Sequence, residues 1–537
     1  MLWKQISRRK SFDHLIKEMA GEDRLQRVLG PIALTALGIG AIIGSGIFVL
    51  TGKAAAQDAG PALMISFAVA AFGCALAAFC YAEFAAMAPV AGSAYTYAYT
   101  TLGELLAWII GWDLILEYSM ACAVVASSWS GYLNELLGSL GLWQIPTQFS
   151  LDPFTSKEIA GQTVHGLINL PAAGITLLIT AVLVLGIRQS ANTNALLVMV
   201  KLAVVVFVIL MGWNYIEPAN WNSLPVESRL IPENPAEKWG MLGLLGLNER
   251  LVPLDERWRT PFTPYGFSGL MLGASIVFFA YIGFDAISTH SEEAKRPQRD
   301  VPLGILASLV ICTILYIAVA AVITGMVPYF SLDLHAPIAA AFSEEAKKNP
   351  TLALRMSTIL VAAGGLAGLT SVLLVSFLSQ ARVFMAMARD GLLPKMFGHV
   401  HPKYRTPHLA TMLTGALIAT VAAVVPIHEL AEMVNIGTLL AFVVVCAAVL
   451  ILRVQRPDAE RPFRCPAIYI VAPLGILVNV TLMLFLPVVT WGRLVVWLGA
   501  GLLIYYFFGR FNSTLGHELE EEIRKHGASP SDAPLKT

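Results

Sequence analysis

Charge is scarce in this sequence. Lys, Arg, Asp and Glu together make up 13% of its 537 residues, about half their share in soluble domains. That deficit excludes an ordinary solvated surface. The 36 basic and 36 acidic residues cancel, so net charge points to neither a nucleic acid nor an acidic partner. Cysteine is sparse too. The six (Cys74, Cys80, Cys122, Cys312, Cys446 and Cys465) lie in or beside apolar segments without C-x-x-C spacing, which argues against a disulfide framework or a metal site. Nothing reads as an enzyme: there is no metal-ligand cluster, nucleophile elbow or Walker loop. No cofactor is expected, and without ATP any driving force must come from gradients.

What the chain does have is apolar sequence in blocks. It is 56% hydrophobic with a mean hydropathy of +0.68. Runs of about 20 residues, enough to cross a bilayer, alternate with short polar joints. The pattern predicts an all-α polytopic membrane protein with twelve spans. They fall at 31–51, 62–88, 104–137, 167–187, 194–215, 266–289, 302–327, 353–379, 408–426, 429–452, 467–490 and 492–511. The first run exceeds a signal-peptide core and is expected to stay as an uncleaved span.

An even number of spans puts both termini on one side, and basic residues choose the side. Lys4, Arg8, Arg9, Lys10, Lys17, Arg24 and Arg27 crowd the 1–30 segment. Joints of the same parity carry Arg188; Lys295, Arg296 and Arg299; Arg382, Arg389, Lys395, Lys403 and Arg405; and Arg453, Arg456, Arg461 and Arg464. Short joints of opposite parity hold little more than Lys53, Lys157, Lys347, Lys348, Arg355 and Arg493. Both termini are therefore expected on the cytoplasmic face of the cell membrane. The 216–265 loop would lie outside, and 512–537 would form a polar, solvated tail.

Two spans are poor membrane helices. The first, "LGIGAIIGSGIFVL", breaks between Gly40 and Gly46; the sixth, "SIVFFAYIGFDAISTH", breaks at Gly283 and Asp285. Bilayer interior penalises both unpaired backbone and an ionisable side chain. Two breaks five spans apart suggest two five-span repeats, 31–215 and 266–452, with 453–511 added after them. Five is odd, so the repeats must have opposite topology. Matched interruptions of this kind point to a transporter binding site. At "GSGI", half-helix N–H groups can converge on an anion, and glycine allows close approach. At "FFAYIG", freed carbonyls can accept from a cation. The pair suits a zwitterionic α-amino acid. Blander readings stand beside this one. "GIGAIIG" also has the small-residue spacing of helix packing, and Asp285 could simply bond a neighbouring helix.

Four stretches carry a resemblance: "GIGAIIGSGIFVLTG", "AGSAYTYAYTTLGELLAWIIGWDLILEY", "FFAYIGFDAISTHSEEAKRPQRDVPLGI" and "SQARVFMAMARDGLLP". In this order they resemble the amino acid–polyamine–organocation superfamily, and within it the cationic amino acid transporter branch, over about residues 28–510. The resemblance implies the inverted-repeat fold of the bacterial leucine transporter, with ten core helices and two peripheral ones. It implies that backbone at Ile43, Gly44, Ser45 and Gly46 holds the substrate carboxylate. Carbonyls of Phe279, Ala280 and Ile282 would hold the ammonium, with the Phe279 ring as a gate. Substrates would be arginine, lysine and ornithine, or a broader set including alanine.

Charges inside the spans are functional candidates by default. Lys201 stands alone in "LLVMVKLAVVVFVIL", where burial works against the charged ammonium and proton release is expected chemistry. Sodium-coupled relatives hold sodium between the first and eighth spans; in proton-coupled ones a fifth-span lysine takes that place. The resemblance therefore implies a bond from Lys201 to first-span carbonyls near Gly40 to Ile43, and the proton as coupling ion. Snorkelling to the cytoplasmic face is its competitor. Glu117 on the third span would face a cationic side chain or hold structure, with Asp113 one turn earlier on a similar face. Glu104 and Glu83 are assigned to packing or gating. Glu292, Glu293, Lys295 and Arg296 would form a charge network. Thr370 and Ser371 could line an ion site, or bond their own helix.

The reading is a secondary active amino acid transporter working by alternating access, with the first, second, sixth and seventh spans rocking against the third, fourth, eighth and ninth. Its partners would be a small L-amino acid and the lipid bilayer. Exchange or uniport on the same fold is the alternative within transport. A non-transporting sensor is a lesser one, since the short tails show no signalling domain, and a channel is lesser still. No residue pattern assigns an oligomeric state or an accessory subunit.

Overall fold

A backbone in lipid must satisfy its own hydrogen bonds, so apolar runs of this length become helices. The computed structural model describes residues 29–87, 93–159, 162–186, 191–222, 235–289, 291–404 and 406–517. The basic residues of the N-terminal tail, Arg188, Arg405 and the tail beyond 517 lie outside the described residues, as does the side chain of Glu292.

Among the described residues, twelve apolar helical passes follow one another, nine long and three shorter. The first is helix Pro31–Ile42, a break, and a resumed helix over 46–59. The second to fifth are Leu63–Met87, Glu104–Ser139, Leu170–Leu185 and Ala191–Gly212. The sixth runs Gly266–Val277, loosens through Phe278–Tyr281, and resumes at Ala286–Thr289. The seventh to tenth are Pro297–Met326, Leu352–Arg389, His408–Val424 and Ile427–Gln455. Ile468–Phe485 and Val488–Ile504 complete the set. The six cysteines are free and buried.

Packing between the passes has a two-fold pattern. The third packs on the eighth, the second on the seventh and the fourth on the ninth, so each of these touches its own image five passes on. Other contacts come in matched pairs. First on seventh matches sixth on second; third on tenth matches eighth on fifth; fifth on seventh matches tenth on second. An element meets its image only beside a symmetry axis, and the two breaks lie there. The eleventh and twelfth passes pack from outside on the second, third, sixth and tenth.

Several boundaries differ from the sequence expectation. The eighth helix continues ten residues past 379 to Arg389, because its charged last turns still bury Val383, Phe384 and Met387. The tenth likewise carries Arg453 inside the helix. The eleventh stops at Phe485, and Pro487 caps the twelfth, so Thr490 belongs to the twelfth rather than the eleventh. Between the third and fourth passes, Ser156–Ile159 and Gln162–His165 form a small antiparallel hairpin, an unexpected piece of sheet in an all-α chain.

One buried ion cluster fixes the register of the second pass against the tenth. Arg453 grips Glu83 bidentately, Nε to Oε1 and Nη2 to Oε2, both at 2.8 Å. Arg461 Nε lies 3.2 Å from Glu83 Oε1, and the Cys465 N–H donates to Oε2 at 2.7 Å. Removing one partner of a buried pair strands the other charge. Glu83→Ala is therefore expected to destabilise the protein by roughly 3–5 kcal/mol, read as a lowered Tm in detergent; an unchanged Tm would contradict it.

Candidate substrate site

The first break comprises Ile43, Gly44 and Ser45. The Ile43 N–H closes a last helical bond to Ile39, and its backbone then turns extended (φ −71°, ψ 99°). Helix resumes at Gly46. A helix that starts here leaves the N–H groups of its first turn without intrahelical acceptors, at the positive end of its dipole. The Ser45 hydroxyl is buried and has no hydrogen-bond partner among the described residues.

The second break runs from Phe278 to Asp285. Ile282 is extended (φ −60°, ψ 134°), and Gly283 has φ +118°, a region that favours glycine. The two breaks touch backbone to backbone. A Cβ on Gly46 would sit 2.3 Å from Ala280 Cα, and one on Gly283 would sit 2.9 Å from Ala41 O. Glycine is required at both positions because main chain occupies the space.

Each half-helix that ends at a break leaves carbonyls needing donors. Lys201, fully buried, donates its Nζ to the carbonyls of Gly40 and Ile43. The position is inconsistent with snorkelling. On the seventh pass, the Tyr316 hydroxyl lies 2.9 Å from both Ile42 O and Ala280 O, bridging the two breaks with one shared proton. Asn435 on the tenth donates Nδ2 to Ser275 O (2.9 Å) and Ile276 O (3.0 Å). Of the carbonyls expected to face an ammonium, Ala280 meets Tyr316, and Phe279 accepts from the Ile282 N–H at 3.2 Å. Each carbonyl oxygen has two lone pairs, so both keep capacity for a ligand. The Phe279 ring is buried beside them.

Buried carboxylates stand on the third pass and at the second break. Glu117 is buried, and its Oε1 has no partner among the described residues. Asp113 packs against Gly437, where an added Cβ would meet Oδ1 at 2.6 Å, and neither of its oxygens has a partner among the described residues. Asp285 accepts from the Tyr118 hydroxyl at 3.3 Å and from the Gly283 N–H at 3.2 Å, tying the second break to the third pass. Glu104 lies apart from these. It accepts from Tyr99 (3.0 Å), Tyr505 (2.8 Å) and Ser513 (2.5 Å), which places it in packing with the twelfth pass.

Two further candidates lie away from the breaks. Thr370 donates to its own helix at Leu366 O and accepts from Trp129 Nε1. Glu293 lies 3.9 Å from Arg382 of the eighth pass, and the chain beside it pairs with Leu29: Leu29 N–H to Glu293 O and Lys295 N–H to Leu29 O. The 291–296 segment is thus tied to Leu29 by backbone and to the eighth helix through Glu293. Tyr316 and Asn435 are the residues that sequence reasoning missed. The available signal was a lone amide in "EMVNIGTLL", five passes after the lone lysine in "LLVMVKLAV".

A family model described as amino acid permease matches residues 29–508. The branched-chain amino acid permease BcaP of Bacillus subtilis (strain 168) is 42% identical over 511 residues, 95% of this chain and 99% of that protein. The methylthioribose transporter of the same organism is 40% identical over 494 residues, 91% and 95% of the two chains. The vacuolar cationic amino acid transporter 4 of Arabidopsis thaliana is 36% identical over 458 residues, 84% and 68%.

Proposed function

This multi-pass membrane chain belongs to the amino acid permease family, transporters rather than enzymes, and from that premise we propose that it takes up L-amino acids by proton-coupled alternating access. Both termini would face the cytoplasm of the cell that bears it. The observation that carries the coupling is the Lys201 ammonium on the Gly40 and Ile43 carbonyls. Loss of its proton would release the first half-helix; rebinding would draw it back. N–H groups at Gly44, Ser45 and Gly46, beside Ile43, would hold the carboxylate. Carbonyls around Phe279, Ala280 and Ile282 would hold the ammonium.

Substrates would be cationic and broad-range L-amino acids, with Glu117 and Asp113 favouring arginine, lysine and ornithine. The branched-chain relative adds leucine to the set. Methylthioribose has neither a carboxylate nor an ammonium, so the two-break geometry favours amino acids over it. The test is uptake of radiolabelled arginine, alanine and leucine into proteoliposomes, with and without an inward proton gradient. Saturable accumulation driven by the gradient supports symport. Counterflow without gradient-driven accumulation would make the protein an exchanger or uniporter, and binding without flux would make it a sensor. Competition by methylthioribose alone would overturn the amino acid reading. Glu117→Gln should weaken arginine uptake at least several-fold more than alanine uptake; equal losses would make Glu117 structural.

A further inference from the structure

The two-fold packing pattern makes the fifth and tenth passes equivalent, and a buried polar residue stands in each. Lys201 donates two bonds to carbonyls at the end of the first half-helix. Asn435 donates two bonds to carbonyls at the end of the half-helix before the second break. The correspondence extends to position. Gly40 stands two residues before the helix end at Ile42, and Ser275 two before the end at Val277. Each repeat therefore closes its broken helix with a side chain from its own last span. One donor can lose a proton and the other cannot.

Asn435 differs in a second respect. Its Nδ2 must face the two carbonyls, because an amide oxygen turned there would repel them, so the orientation of Oδ1 is fixed. That oxygen is fully buried and has no partner among the described residues. Buried acceptors are almost always satisfied. It lies at the carbonyl end of a half-helix, where the dipole favours a cation, beside the break proposed to take the substrate ammonium.

We propose that Asn435 is a substrate-binding residue, its Nδ2 fixing the end of the sixth-pass half-helix and its Oδ1 accepting a hydrogen bond from the substrate α-ammonium. This rests on the transport reading above. An ammonium has three donors, and Asn435 supplies a side-chain acceptor beside the backbone carbonyls. Because the α-ammonium is common to all amino acids, the contact serves alanine, leucine and arginine alike.

The test pairs Asn435→Leu with a substrate series in proteoliposomes. Half-saturation for alanine, leucine and arginine should rise together by roughly tenfold or more, the range for a hydrogen bond to a charged group. Inhibition by the α-hydroxy analogue of leucine, which lacks the ammonium, should change much less. The preference for amino over hydroxy acid therefore shrinks by a similar factor. Equal weakening of both acids would reduce Asn435 to a purely structural cap, and a loss confined to arginine would place it against the side chain; either result overturns the proposal. Should the variant fail to fold, a structure of the unmodified protein with bound leucine decides. Oδ1 within about 3.2 Å of the ammonium nitrogen supports the contact, and a separation beyond about 3.5 Å ends it. A parent protein that accumulates no amino acid would defeat the transport reading and this one with it. A parent that transports, with an unchanged preference in the variant, defeats only the role of Asn435.

Discussion

Lys201→Ala is expected to abolish gradient-driven accumulation of every substrate while the protein still folds and reaches the membrane. The argument is one of charge and geometry. The ammonium is fully buried and its bonds go to two carbonyls at the end of the first half-helix. Alanine removes both hydrogen bonds at once, so the half-helix loses a tether that carries a titratable proton. Binding and exchange need the site to form, whereas accumulation against a gradient needs the tether to respond to pH. Counterflow should therefore survive in part, at a rate that no longer varies with pH. Accumulation is expected to fall by at least a factor of ten, measured as the steady-state ratio of arginine inside to outside under an inward proton gradient. An alanine variant that still accumulates arginine at the parental level would remove the coupling role from this residue.

The second large effect belongs to Gly46. Its missing side chain is what lets the first break approach the second, since an added Cβ would sit 2.3 Å from Ala280 Cα and 2.6 Å from Ala280 Cβ. Backbone cannot move aside as the tip of a flexible side chain can. Gly46→Ala must therefore push the two breaks apart by several tenths of an ångström at least, since the contact is with the Ala280 backbone. Near-complete loss of uptake is expected for alanine, leucine and arginine together, with proton dependence irrelevant because the substrate no longer binds. Substrate-induced thermal shift checks this directly. Parental shifts in the Gly46→Ala protein would show that close approach of the breaks is not needed.

The parts of this architecture that could be read from the sequence are those that violate a local rule. Three glycines and a serine inside an apolar run, or Gly283 followed by Asp285, have no place in a continuous membrane helix, so both breaks were visible. Lys201 was visible for the same reason. Tyr316 and Asn435 violate nothing: a tyrosine or an amide within an apolar span is ordinary, and only the folded packing shows which carbonyls they meet. Span ends were least legible where charge and helix part company. Arg382, Arg389 and Arg453 look like joints yet continue helices, because one face of each last turn stays buried. Pro487 is the reverse case. It starts a helix within an unbroken apolar stretch, so hydropathy alone carried the eleventh span too far. Glu83 reads from the sequence as packing or gating, and its packing clamp by Arg453 and Arg461 depends on a connection that brings both arginines to the end of the second pass.

The most direct measurement is a structure of the protein with a bound amino acid. The carboxylate is expected within hydrogen-bonding distance of the N–H groups at Gly44 to Gly46, and the ammonium at the carbonyls of the sixth-pass break. A substrate bound elsewhere in the bundle, or bound with its carboxylate and ammonium exchanged between the two breaks, would contradict the account.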